Sequence, residues 1–333
     1  MKNILIIGGA GYIGTVLTDY LLNAGYRVRS LDLFLYQNNH CVLPYLGRSN
    51  YESVYGDLCD MKVLNEALEG VTDVVFLAGL VGDPITKKYP NESQRVNEEG
   101  IKDCIDHLNG LGLKKLVFIS TCSNYGLIGD DELADENFVL NPLSAYAKAK
   151  VAIEHHILDL KGKADFVPTI LRFATAFGLS NRMRFDLTVS EFTRELSLGR
   201  ELLVYDAQTW RPYCHVADFC RLIEMVICAP EEKVAFEVFN AGGDINNYTK
   251  KGIVNAILEL LPKAKVKFQE HGPDPRNYRV DFSKVKKVLD FKPKYTVPCG
   301  IKELLKALNN HVFDNVEQSL ETFGNYKIKR FDK

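Results

Sequence analysis

The short apolar run over residues 4–7 ends directly in Gly8-Gly9-Ala10-Gly11-Tyr12-Ile13-Gly14, and nothing else in the sequence restricts the fold as much as this GxxGxxG loop. Ile13, Leu17 and Leu21 follow at fourfold spacing, one face of a helix over 12–24, and Gly25 is placed to cap its C-terminus. A strand that turns this tightly into a helix opens a βαβ unit. Gly8 permits the tight turn, Gly11 lets backbone approach a pyrophosphate at the positive helix end, and Gly14 lets the helix lie close on the strand. An ordinary strand-to-helix turn is the alternative, and the glycines alone do not separate the two.

The first half continues the alternation that the loop begins. Apolar or β-branched runs at 28–31, 74–77, 116–120 and 167–171 alternate with helical patterns over 60–69, 92–109 and 143–160. That rhythm predicts an α/β fold, a doubly wound parallel sheet with helices on both faces. Beyond about residue 175 it loosens into helices over 186–198, 217–228, 249–261 and 299–310 and a strand at 202–204. With 333 residues the chain has room for two unequal domains. A dinucleotide-binding domain is expected over 1–175, with 210–240 returning to it, and a smaller mixed α/β C-terminal substrate domain over 176–330. The tail from Phe313 has no period and reads as an appendage.

Composition removes several classes of function. The 41 basic and 43 acidic residues leave a net charge of -2, without the basic footprint that nucleic-acid binding requires. The eight cysteines form no CxxC pair and read as reduced thiols, and the seven histidines show no HxxxH spacing for a metal. The N-terminal apolar run is too short for a secretory signal, and no stretch approaches the length of a membrane span. A cytoplasmic enzyme without metal, membrane or nucleic-acid partners is expected.

Two acidic residues and one tyrosine-lysine pair then carry chemistry. Asp32 ends the second strand, where its carboxylate can accept from both hydroxyls of an adenosine ribose and repel a phosphate there, which favours NAD over NADP. Arg27 and Arg29 lie upstream on that strand and read as solvated edge charges. Asp57 follows the third strand, either as an acceptor for the adenine amino group or as an N-cap for the next helix. Tyr146 and Lys150 stand four apart on one helical face. A lysine ammonium near the phenol stabilises the phenolate, and a positive nicotinamide does so further, so the tyrosine can serve as a base. YxxxK is common by chance, but here it follows both the glycine loop and a Ser120-Thr121 strand end.

Glycine loop, strand end and tyrosine-lysine pair, in that order, resemble the extended short-chain dehydrogenase/reductases, the group of UDP-galactose 4-epimerase and other nucleotide-sugar epimerases, dehydratases and reductases. The resemblance continues through Phe76-Leu77-Ala78-Gly79, Asn97, Phe118 to Gly126, Leu171-Arg172-Phe173, Arg211 to Asp218 and Phe239 to Gly243. It implies a Rossmann sheet, a homodimer or homotetramer, and a nucleotide-sugar substrate. It further implies that NAD is held by Gly8, Gly11, Tyr12, Ile13, Gly14, Asp32, Asp57, Leu58, Leu77, Ala78, Gly79, Asn97, Ser120, Tyr146, Lys150 and Phe173. Thr121 then fills the catalytic Ser/Thr position and bonds the reacting oxygen, with Ser123 and Thr175 beside the substrate. Arg211 pairs with the substrate's pyrophosphate and Arg276 supplies a second cation, unless either forms an ordinary salt bridge; arginine's planar fork suits phosphate. His215 reads as structural.

Departures from the family pattern narrow the reaction. The family's 4,6-dehydratases follow the Thr with an Asp-Glu pair, but Cys122 and Ser123 stand here, so dehydration lacks its acid and base. The family's reductases that also epimerise carry a catalytic Cys where this chain has Ser123. In members like UDP-galactose 4-epimerase an asparagine stands where Thr175 is. The expected reaction is therefore oxidation of a sugar hydroxyl, at C4 by analogy, with Tyr146 as base, in an epimerase or a dehydrogenase of glycan precursor synthesis. The alternatives are an NADPH-dependent reductase of a small ketone and a non-catalytic dinucleotide-binding sensor.

Overall fold

The computed structural model describes residues 2–129, 131–272, 274 and 276–332. Its strands are β1 (Asn3–Ile7), β2 (Arg27–Asp32), β3 (Tyr51–Tyr55), β4 (Asp73–Phe76), β5 (Lys115–Thr121), β6 (Val167–Phe173), β7 (Thr175–Phe177), β8 (Leu202–Tyr205), β9 (Trp210–His215), β10 (Glu237–Ala241), β11 (Asn247–Thr249) and β12 (Val266–Gln269). Its helices are α1 (Tyr12–Asn23), α2 (Met61–Leu68), α3 (Asp83–Lys88), α4 (Pro90–Gln94), α5 (Ile101–His107), α6 (Ala145–Asp159), α7 (Thr188–Ser197), α8 (Val216–Cys228), α9 (Glu231–Val234), α10 (Lys250–Leu258), α11 (Ser283–Leu289) and α12 (Val297–Asn309).

Seven strands form one parallel sheet in the order β10-β6-β5-β4-β1-β2-β3, the order of a Rossmann sheet extended by one strand. The strand sequences read as continuous apolar runs because both faces are covered. Alternate residues serve opposite layers. Ile4, Ile6, Val75 and Val117 pack under α1 and α8 with Leu17, Leu21, Phe219 and Ile223. Leu5, Ile7, Val74 and Phe118 pack under α2, α5 and α6 with Leu64, Ile105, Ile153 and Ile157. The strand order reverses between β1 and β4, so a crevice opens at their carboxyl ends.

Three expectations are corrected. The segment expected to return, 210–240, begins with β9, which pairs with β7 and β11 in a separate three-stranded sheet. The return is made by α8 and by β10, which adds to the β6 edge. The single helix expected over 92–109 is interrupted by a wide π turn at Arg95–Gly100, which brings the Asn97 side chain onto Leu80. The tail is no appendage: Phe313 and Phe323 pack around Phe185, and Ile328 is fully buried beside Tyr89. Among the described residues, no helix is long and apolar enough to cross a membrane.

Candidate active site

The crevice at the switch point is a cleft with a largely apolar wall. Gly8 forms its floor at φ +95°, and a Cβ there would lie 2.8 Å from the Ala78 nitrogen, so the turn excludes any side chain. Gly11 is the N-cap of α1 and no side chain caps that end, so the first N–H groups of the helix face the cleft as donors. Gly14 differs from expectation in what it touches. Its Cβ would meet the Gly8 carbonyl at 2.3 Å and Gly9 at 2.8 Å, so it lets the helix lie on the loop's own backbone rather than on β1.

Asp32 is held at the cleft wall by the N–H groups of Ala10 (2.9 Å) and Phe34 (2.8 Å), which leaves two of its acceptor sites for a ligand. Burial pushes its carboxyl up, against the pull of those N–H groups and of Arg182. Asp57 bonds the Cys59 N–H at 3.0 Å and pairs with Arg95 at 3.0 Å; burial raises its carboxyl, but these partners outweigh burial and lower it. Tyr12, Ile13, Leu58, Leu77, Ala78 and Gly79 complete the expected wall. Tyr12 also donates to the Gly178 carbonyl at 2.7 Å, which ties the start of α1 to the turn after β7. A carboxylate at the second strand end, uncapped helix N–H groups and a glycine floor fit the ribose and pyrophosphate of a dinucleotide.

Five residues expected at the cofactor are not among those lining this cleft: Asn97, Ser120, Phe173, Tyr146 and Lys150. Asn97 accepts from the Leu80 N–H (2.8 Å) and donates to the Leu80 carbonyl (3.0 Å), which fixes the loop after β4. The Ser120 hydroxyl is spent on buried Glu154, so only its backbone is free to face a ligand. Phe173 stacks on Phe219 at 3.7 Å in the core.

Thr121, at the end of β5, accepts from the Ser123 N–H at 3.1 Å and keeps its own proton to donate. Tyr146 lies in the first turn of α6, where Ser144 caps the helix through the Ala147 N–H. Burial pushes its phenol up to about 12; Arg184 opposes that shift, while Asp83 and Tyr278 add to it. Arg184 supplies the positive charge that opposes the rise. The buried Lys150 ammonium donates to the Ile119 carbonyl (2.8 Å) and lies 4.5 Å from the Phe118 ring centre, because a buried charge needs an acceptor. Burial lowers it to about 7, with Glu154 opposing.

Arg211 and Arg276 meet on one carboxylate. Arg211 Nη2 lies 3.1 Å from Asp274, and Arg276 bonds Asp274 through Nε (2.7 Å) and Nη2 (2.9 Å). Although burial raises the Asp274 carboxyl, its bonds to Arg276 and the charge of Arg211 hold it well below the usual range. Arg276 also reaches Ser123 at 3.5 Å, and Ser123 lies 3.2 Å from the Tyr278 hydroxyl. Ser123 and the two arginines therefore form one cluster. Thr175 is opposite Tyr213 in the β7–β9 ladder. Cys122 is buried and donates to the Arg172 carbonyl at 3.2 Å, and burial pushes its thiol up. His215 pairs with Glu303 at 2.9 Å under Gly178, a structural placement.

The sequence also held residues that its motifs did not mark. Arg182 and Arg184 line the cleft, while Met183 and Phe185 at the alternate positions pack into an apolar cluster, an alternation of period two visible in the sequence as Arg-Met-Arg-Phe-Asp. Arg184 is fixed by a bidentate pair with Asp186 (3.0 and 2.5 Å). Glu154, one turn beyond Lys150 on α6, forms a buried pair with Arg172 at 2.7 Å.

The pattern of the NAD dependent epimerase/dehydratase family matches residues 4–242. The UDP-glucose 4-epimerase of Corynebacterium glutamicum is 28% identical over 314 residues, covering 88% of this chain and 91% of that protein. The dTDP-glucose 4,6-dehydratase of Streptomyces niveus is 26% identical over 315 residues, 91% of each chain. Among solved structures, UDP-glucuronic acid 4-epimerase from Bacillus cereus, in complex with UDP-glucuronic acid and NAD, is similar with a TM-score of 0.84 at 22% identity, covering 93% of this chain and 100% of that one.

Proposed function

The chain belongs to the NAD-dependent epimerase/dehydratase family, and from that premise we propose that it oxidises a hydroxyl-bearing carbon, C4 by analogy, of a nucleotide-linked sugar. The cleft would hold NAD through the loop at Gly8 to Gly14, with Asp32 on the adenosine ribose and Asp57 and Leu58 beyond it. NAD bound there supplies the hydride acceptor and, through its positive ring, a second cation beside the phenol.

Tyr146 takes the proton of the sugar hydroxyl. Its phenol, raised by burial, needs positive charge to give up its own proton near neutral pH, and Arg184 provides part of it. Thr121 donates to the reacting oxygen. Lys150 keeps two N–H donors beyond its bond to Ile119, and these hold the nicotinamide ribose. Arg211 and Arg276, gathered by Asp274, turn their remaining N–H donors and their charge to the diphosphate and so position the sugar. The domain division fits this reading: residues 1–175 with the return through α8 and β10 carry most of the cofactor cleft, Arg182, Arg184, Asn325 and Phe331 complete its wall, and the remainder otherwise carries the substrate.

The observation that carries this reading is the cluster of Ser123, Tyr278, Arg211 and Arg276, whose Tyr278 also acts on the Tyr146 phenol, with no carboxylate at 122 or 123 to eliminate water. Return of hydride to the other face of the keto sugar would make an epimerase, and release of the keto sugar with the hydride left on the cofactor would make a dehydrogenase. Incubation with UDP-, dTDP- and GDP-sugars, with cofactor reduction and product stereochemistry followed together, tests both. An inverted or oxidised sugar is expected; a panel in which no sugar reacts, but small ketones are reduced, overturns the reading.

A further inference from the structure

The cleft is closed by a part of the chain beyond the family match, whose residues have no task in the proposed reaction. After α12 the tail runs back toward β4. The Gly324 carbonyl accepts from Arg182 (3.1 Å), and the Asn325 amide donates to the Val81 carbonyl (2.9 Å). The Ile328 N–H donates to the Tyr89 hydroxyl (3.2 Å), which donates to Asp332 (2.7 Å), and Phe331 packs edge-on against the Tyr89 ring at 5.4 Å. Two tail residues, Asn325 and Phe331, form part of the cleft wall beside Gly79, Val81 and Tyr36.

Asn325 is 6% exposed. Its NH2 group is used by Val81, but its side-chain oxygen is buried without a partner, as is the Tyr36 hydroxyl in the same wall. Buried amide oxygens are almost always bonded, so an orphan on a ligand cleft points to a donor that arrives with the ligand. The NH2 assignment follows from the Val81 carbonyl, which accepts only a donor.

We propose that the tail is a built part of the cofactor site: Asn325 Oδ1 accepts a hydrogen bond from a hydroxyl or amide N–H of the dinucleotide, and the strap from Gly324 to Asp332 slows its escape. This rests on the dinucleotide reading above and refines it. A cofactor that leaves slowly suits chemistry in which it is restored in place. The sugar carbon gives a hydride to the dinucleotide and its hydroxyl gives a proton to Tyr146, and both return to the same keto sugar, so electrons balance without an external oxidant. The strap thus favours epimerisation over net dehydrogenation.

The test loads the full-length protein with NADH and chases it with excess NAD, following the loss of bound NADH fluorescence. Asn325→Leu removes the acceptor, and Tyr89→Phe unties the tail without touching the cleft wall. Each variant should release NADH roughly 3- to 10-fold faster than the parent, the worth of one neutral hydrogen bond, with the melting temperature confirming a folded protein. An unchanged release rate in either folded variant overturns the strap. A parent protein that binds no dinucleotide overturns instead the reading on which the strap rests.

Discussion

Replacing Gly11 and Gly14 separately by alanine should divide cofactor binding from folding. At Gly11, φ −75° and ψ 179° suit any residue, and an added Cβ meets only the Gly8 carbonyl at 3.2 Å. The free protein should accept Gly11→Ala with its melting temperature within a degree or two, helped by reduced freedom of the unfolded chain. The new methyl nevertheless occupies space where a pyrophosphate approaches the helix. If that overlap costs about 1–3 kcal/mol, as overpacking does, NAD affinity falls roughly 5- to 150-fold. At Gly14 the added Cβ would lie 2.3 Å from the Gly8 carbonyl and 2.8 Å from Gly9, all backbone, so helix and loop must part. The same 1–3 kcal/mol then falls on the fold, lowering the melting temperature by about 2 to 10 °C as well as weakening NAD. Fluorescence titration with NADH and calorimetry on both variants check this. A Gly11→Ala protein that binds as tightly as the parent, or a Gly14→Ala protein that melts with it, refutes the reasoning.

Asp32→Ala should narrow the preference for NAD over NADP, read as the ratio of the two dissociation constants; an unchanged ratio would mean that the carboxylate does not face the ribose. Arg211→Lys keeps the charge but loses the fork, so it should weaken nucleotide-diphosphate binding far more than NAD binding; a fall in melting temperature with diphosphate affinity intact would make Arg211 a structural ion pair. Lys150 bears on stability through its depressed value near 7, below that of an exposed lysine. Between those values the unfolded chain binds more protons than the folded one, so the penalty of the buried charge is full below pH 7 and fades as pH rises. Lys150→Met should therefore gain in melting temperature relative to the parent at pH 6 compared with pH 9.5. An equal difference at both pH values contradicts a buried ammonium.

The parts of the site legible in the sequence are those built from residues near one another in the chain. The Gly8 to Gly14 loop, Asp32 at a strand end and Tyr146 with Lys150 on one helix depend on local geometry, which spacing reports directly. Asn97 and Phe173 matched motif positions yet stand behind the cleft, because a motif marks a residue as needed without saying whether it touches the ligand or the loop that does. The tail escaped because its contacts, Asn325 to Val81 and Ile328 to Tyr89, span more than two hundred positions and have no period. Arg184 escaped for a related reason: only the folded chain brings it to the wall of the cleft that the glycine loop also lines.

The central claim is that Tyr146 moves the proton while the cofactor sits in the glycine-loop cleft. The direct measurement is a single-turnover reaction of Tyr146→Phe and parent protein, each saturated with NAD, against whichever nucleotide sugar the parent converts. Sugar oxidation should slow by about a hundred- to ten-thousand-fold in the variant, as expected for loss of a general base, with NAD affinity and melting temperature preserved. A variant that oxidises the sugar at the parent's rate with NAD bound would contradict the account.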